Sequence, residues 1–184
     1  MNVQTFAIEG PKLITLDVYP DERGSFREVY NQERYSELGI PPLVQDNLSI
    51  SKRGVVRALH MQVAPHAQGK LVYVLRGSVR DVAVDMRSGS STFGQHIVVE
   101  LSAEVPTQFW IPAGFAHGFI ALEDDTVFAY KCSDVYDKAS ERGIRYNDKA
   151  LAIDWGMPEA EIIVNGRDLA HPLLSDIDSS TLVF

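Results

Sequence analysis

Leu71-Val72-Tyr73-Val74-Leu75, then Arg76-Gly77, then Ser78-Val79-Arg80-Asp81-Val82-Ala83-Val84-Asp85-Met86, run through the middle of the chain. Two apolar, β-branched runs separated by an Arg-Gly step read as two strands joined by a tight turn. The same pattern repeats outward in both directions. Upstream, residues 47–51 alternate polar with apolar and end at Arg53-Gly54, and 55–61 follow as a strand. Downstream, residues 96–101, 108–111, 117–122 and 127–132 read as strands, punctuated by Ser88-Gly89, Pro112-Ala113-Gly114 and Glu123-Asp124-Asp125. Near the N-terminus, residues 13–19 and 25–30 flank the turn Asp21-Glu22-Arg23-Gly24 and read as a hairpin. Residues 32–38 make a short helix, closed by Gly39 and Pro41. Many short strands with almost no helical period predict an all-β sandwich or barrel, with a double-sheet jelly roll leading. Beyond Trp155 the pattern weakens into a tail, with one short strand at residues 162–164.

Composition bounds the function. The 184 residues suffice for one domain with a real core, and nothing repeats or divides them. A net charge of -8 argues against a general nucleic-acid or membrane-surface binder, but leaves room for an anionic small ligand in a locally basic cleft. No apolar run is long enough to span a bilayer, and the first residues lack the basic-then-apolar start of a signal peptide. The single cysteine, Cys132, forms no internal disulfide, which fits a reducing cytoplasm.

The chemistry concentrates in Arg57-Ala58-Leu59-His60-Met61-Gln62, with Lys70 ten positions past the histidine and His117 in a later Pro-Ala-Gly-Phe-Ala-His turn. Histidine exchanges protons near neutral pH, lysine holds charge on an oxygen, and arginine pairs with phosphate. Period-two alternation puts Lys70 on one face with Val72 and Val74, and Tyr130 with Phe128 and Cys132. Strict alternation groups His60 with Val56 and Ala58, opposite Arg57, so a bulge is needed to bring Arg57 and His60 to one ligand. His66 falls in a Pro-His-Ala-Gln loop and reads as incidental. Metal-binding jelly rolls of the cupin type pair two histidines as His-x-His with a glutamate shortly after. Here Met61 and Gln62 follow His60, and no glutamate lies between His60 and Glu100, so no metal is expected.

An ordered set of motifs then resembles the dTDP-4-dehydrorhamnose 3,5-epimerase family. It comprises Asp21-x-Arg23-Gly24-x-Phe26-x-Glu28, Gln45-x-Asn47-x-Ser49, Arg57-Ala58-Leu59-His60 and Ala67-Gln68-Gly69-Lys70. Asp81 to Arg87, Thr92-Phe93-Gly94, the Pro112 to Phe119 turn, Tyr130-Lys131, Asn147-Asp148 and Ile153-x-Trp155 continue it. The resemblance implies a cofactor-free and metal-free cupin-like jelly roll with short helices, working as a homodimer with an exchanged N-terminal hairpin. In those terms the chain is one domain: an arm at about 1–50, a barrel at about 51–155 and a tail at 156–184. By motif match, His60 is the base, Tyr130 the acid, Lys70 the enolate stabiliser and Asp168 the carboxylate behind His60. His117 would line the sugar pocket. Arg57 and Arg167 would hold the diphosphate, Gln45 and Asn47 the ligand, Tyr136 the thymine and Glu141 a neighbouring group. Arg23, Phe26 and Glu28 would reach the partner's site. The implied reaction inverts C3 and C5 of dTDP-4-keto-6-deoxy-D-glucose for dTDP-L-rhamnose and polysaccharide synthesis. Two residues depart from the family pattern, Ala58 in place of glycine and Arg167 in place of lysine. They point to the alternative of a relative that inverts C3 or C5 alone, or accepts another nucleotide.

Overall fold

The structure is a computed structural model describing all 184 residues. Two sheets face each other in a jelly roll. The strands are β1 (Asn2–Thr5), β2 (Lys12–Thr15), β3 (Tyr19–Asp21), β4 (Gly24–Phe26), β5 (Gln45–Ser51), β6 (Val56–Gln62) and β7 (Lys70–Arg76). They continue with β8 (Ser78–Asp85), β9 (His96–Ser102), β10 (Thr107–Ile111), β11 (Phe115–Ala121), β12 (Thr126–Cys132) and β13 (Glu141–Gly143). One sheet runs β1-β2-β10-β7-β12-β5 and the other β13-β6-β11-β8-β9. Two short α-helices, α1 (Gln32–Glu37) and α2 (Gly166–Leu169), lie outside them.

The layers follow from which side chains are apolar. Val72, Val74, Val79, Ala83, Phe109, Phe119 and Phe128 meet between the sheets. Strand β11 is buried along its whole length, because its second face is covered too. Val82, Val84, Met86, Ala116 and Ile120 point outward beneath Ile144, Tyr146, Trp155 and Leu182 from the C-terminal region. On the other sheet's outer face, Leu71 and Trp110 pack against Ile14, Tyr35 and Ile40. Tyr35 donates a 2.5 Å hydrogen bond to Gln108 Oε1, and Gln108 donates to the Val29 carbonyl, which fastens the α1 region to β10.

The hairpin expected at residues 13–19 and 25–30 divides in two. Lys12–Thr15 joins the large sheet between β1 and β10, while only Tyr19–Asp21 and Gly24–Phe26 pair with each other. Pro20 offers no N–H to extend that ribbon, and it buries nothing: Tyr19 is 60% and Phe26 68% exposed. Strand β5 belongs to this chain's own sheet through β12. The expected strand at 162–164 shrinks to a single parallel bridge, Val55 to Ile163. The tail is nevertheless well anchored, since it carries α2 against β6 and buries Leu182 in the outer core.

Candidate active site

The grouping of His60 with Val56 and Ala58 is corrected by a bulge in β6. His60 pairs with His117 and Arg57 with Phe119, so β6 takes three steps where β11 takes two. Ala58 and Leu59 both turn to the outer core, which leaves Arg57 and His60 on the inner face. The Ala58 methyl faces Gly118, where an added Cβ would fall 2.2 Å from it. Ala58 is therefore part of the packing behind the site and does not line it.

The inner face opens into a groove of two joined clefts, of about 280 and about 240 Å³, sharing His60, Lys70, Tyr130 and Glu141. Sheet register builds its floor. Gln45 lies opposite Cys132 and Asn47 opposite Tyr130, with Ser49 opposite Phe128, and Lys70 follows Cys132 on the next strand. Period two thus delivers Lys70 and Tyr130 inward, as their apolar neighbours implied.

The base sits between carboxylate and groove. Asn165 caps α2 by accepting from the Asp168 amide at 2.8 Å, which turns the Asp168 side chain toward β6. Asp168 Oδ1 lies 2.8 Å from His60 Nε2, and Oδ2 accepts from the Ala58 amide at 3.3 Å. Burial acts to raise the Asp168 carboxyl, but the hydrogen bond and charge of His60 outweigh it and hold it below its usual range. An ionised carboxylate only accepts, so in the neutral ring His60 Nε2 carries the proton and Nδ1 keeps the free lone pair.

The other groups suit acid and cation roles. Burial raises the Tyr130 phenol, against the opposing charge of Arg57, so it keeps its proton. Burial lowers the Lys70 ammonium, against the nearby Cys132, Asp81 and Glu141, and its Nζ donates to the His60 carbonyl at 3.2 Å. His117 lies on the floor with Nε2 2.9 Å from Asp81 Oδ2; burial lowers the imidazole and raises the carboxyl.

At the outer end, Glu141 accepts hydrogen bonds from Tyr136 and Arg167. The Tyr136 amide donates to Gln45 Oε1, and Gln45 donates to Asn47. Arg57 reaches Ser51 Oγ at 3.2 Å. Arg23, Phe26 and Glu28 lie outside this groove: Arg23 pairs with Asp21, Glu28 with Arg34, and Phe26 stands in solvent.

Sequence reasoning passed over several groups here. Ser49 lines the inner cleft with a buried hydroxyl that has no hydrogen-bond partner. Gln62 and Gln68 hold the Tyr136 loop through the Val135 and Asp134 carbonyls. His171 stacks edge-on to His60, with ring centroids 5.6 Å apart. Its placement three residues past Asp168 was the available signal, since that spacing faces one side of a helical turn.

Comparisons with known proteins identify the family and the fold. The family described as dTDP-4-dehydrorhamnose 3,5-epimerase matches residues 5–176. A dTDP-4-dehydrorhamnose 3,5-epimerase of Pseudomonas aeruginosa is 47% identical, over 97% of this chain and 98% of that protein. One from Shigella flexneri is 46% identical over 97% of this chain and 93% of its own length. The crystal structure of a Legionella pneumophila dTDP-6-deoxy-D-glucose-3,5-epimerase with dTDP-4-keto-L-rhamnose superposes with a TM-score of 0.94. It is 49% identical and covers 99% of this chain and 97% of its own. The chain therefore belongs to the dTDP-4-dehydrorhamnose 3,5-epimerase family.

Proposed function

We propose that this protein inverts C3 and C5 of dTDP-4-keto-6-deoxy-D-glucose to give dTDP-4-keto-L-rhamnose, within dTDP-L-rhamnose biosynthesis. The observation that carries the proposal is the His60–Asp168 pair, which shares one groove with Tyr130 and Lys70. The C4 ketone acidifies the hydrogens at C3 and C5. His60 Nδ1 takes one of them, and Asp168 steadies the imidazolium that forms. Lys70 stabilises the negative charge on the enolate oxygen. Tyr130 returns a proton from the opposite face, and the carbon inverts. Each step moves a proton and no electrons leave the substrate, so the chemistry calls for no redox cofactor.

His117 and Ser49 line the sugar end. Arg57 and Arg167 take the diphosphate, where guanidinium forks match phosphate oxygens. Gln45 and Asn47 bond the nucleotide, Tyr136 stacks on thymine and Glu141 orients the outer residues. The working unit is a homodimer, in which Arg23, Phe26 and Glu28 complete the partner's groove. The exposed ribbon and the apolar surface of Leu48, Ile50 and Leu75 support this arrangement. No helix is long and apolar enough to cross a membrane, and we place the reaction in the cytoplasm, where the Cys132 thiol stays reduced.

Incubation with the substrate in deuterated water tests the reaction: label at both C3 and C5 is expected. Label at one carbon marks a mono-epimerase, and no label refutes the assignment. Mixing Arg23→Ala and His60→Ala chains tests the exchanged arm. Mixed dimers regain activity if one chain's ribbon serves the other's base, and stay inactive otherwise.

A further inference from the structure

We propose that His60, Asp168 and His171 form a binding site for a divalent transition cation of the zinc type, and that occupancy switches off the catalytic base. The three side chains offer two imidazole nitrogens and a carboxylate oxygen within 4.8 Å of one another. His60 Nε2 lies 2.8 Å from Asp168 Oδ1, and His171 Nε2 lies 3.9 Å from the same oxygen. Zinc bonds of about 2.0–2.1 Å in a tetrahedron hold donors roughly 3.3 Å apart, so side-chain shifts of about 1 Å seat all three on one ion. Two imidazoles and a carboxylate are a fitting donor set, and a water completes the fourth position.

His171 supplies the observation that points to a ligand. Its Nε2 is buried and has no hydrogen-bond partner. Such a nitrogen is unfavourable unless paired, and a cation beside Asp168 would pair it. The ring is held in place, since a Cβ at Gly143 would fall 2.4 Å from it. The carboxylate is fixed as well, by the Ala58 amide on its other oxygen. His171 does not line either cleft, so the nucleotide path leaves it free for this role.

The consequence for the base follows from the tautomer. Unoccupied, His60 carries its proton on Nε2 and offers Nδ1 as the base. A cation on Nε2 takes that nitrogen's lone pair, and the neutral ring then carries its proton on Nδ1. The base lone pair is gone, while the nucleotide contacts are untouched. The blockade rests on His60 being the base, as proposed above; the binding does not.

The test is a calorimetric titration of metal-free, full-length protein with zinc chloride, paired with the sugar deuterium-exchange assay. The expected result is one zinc per chain, exchange that falls with occupancy and returns on adding EDTA, and dTDP affinity unchanged. His171→Phe keeps the ring over Gly143 without its nitrogens, and His171→Gln keeps a polar group. Both should retain zinc-free exchange and bind zinc at least about tenfold more weakly. His66→Ala removes a separate, more exposed histidine–aspartate pair, His66 with Asp134 at 3.2 Å, and should leave zinc affinity unchanged. No binding, binding lost only in His66→Ala, or undiminished affinity in both His171 variants overturns the site. Stoichiometric, His171-dependent binding with exchange undiminished overturns the blockade and counts against His60 as the base.

Discussion

Asp168→Asn probes the base through its tautomer. In the native site Oδ1 faces His60 Nε2 at 2.8 Å, and Oδ2 accepts from the Ala58 amide at 3.3 Å. An asparagine has one acceptor and one donor for these two partners. The Ala58 N–H requires the acceptor, so the NH2 group turns toward His60 and makes Nε2 an acceptor. The ring proton then moves to Nδ1, and the base is lost. The reverse orientation restores the tautomer, but it sets two N–H donors against each other and removes the charge that supports the imidazolium. The equivalent exchange in a serine-protease triad lowers turnover about ten-thousandfold. The Ala58 contact here is long and locks the amide less firmly, so the expected loss is about a thousandfold, or about 4 kcal/mol. Deuterium uptake at C3 and C5, followed by NMR, reads the loss, and calorimetry with dTDP on the same protein should find its affinity unchanged. A loss smaller than about tenfold would refute the tautomer reasoning.

Further perturbations address the scaffold. Gly118→Ala places a Cβ 2.2 Å from the Ala58 methyl and should destabilise by roughly 2 kcal/mol in denaturant unfolding. Ala58→Gly in the same chain should recover only part of that, because the residue-58 Cα and the Arg57 carbonyl still lie 2.7 and 2.9 Å from the added Cβ, and by itself leave the C3-to-C5 exchange ratio unaltered; complete recovery contradicts the packing. Tyr35→Phe strands the buried Gln108 carbonyl and should cost about 1–3 kcal/mol, with faster amide exchange through α1. Unchanged protection there argues against Tyr35 as the fastener. Burial acts to raise the Asp85 carboxyl, but hydrogen bonds from Arg87, Thr92 and Ser90 outweigh it and hold it far below the usual range. A depressed folded pKa stabilises fully above the ordinary carboxylate range, and the contribution is lost as pH falls from that range down through the depressed folded value. Asp85→Asn should therefore lower stability at neutral pH and flatten its decline in acid; an unaltered acid slope contradicts this.

Much of the fold was legible because its causes are local. The strands from 55 to 132 announce themselves by β-branched runs and Gly-containing turns, and alternation placed Lys70 and Tyr130 inward correctly. The bulge was not legible, because Ala58 and Leu59 are both apolar and period two has no mark for a skipped step. Strand β13 escaped because Glu141-Arg142-Gly143 has no apolar face of its own and pairs only through its backbone with β6. Asp168 lies 108 positions from His60, and only the resemblance connected them. His171 and Ser49 gain meaning from neighbours that the chain brings close by folding, so residue type alone was silent about them. Of the two departures from the family pattern, the structure turns Ala58 away from the groove and leaves Arg167 facing it.

The two-faced proton transfer is tested most directly by Tyr130→Phe with the keto-sugar substrate in deuterated water. With the acid removed, His60 still abstracts a proton, exchanges it with solvent and returns it from the same side. The predicted result is recovered substrate that carries deuterium at the acidified carbons with unchanged configuration, while epimerised product falls sharply. Loss of exchange and inversion to the same extent, or inversion that persists at the native rate, would contradict the assignment of His60 and Tyr130 to opposite faces.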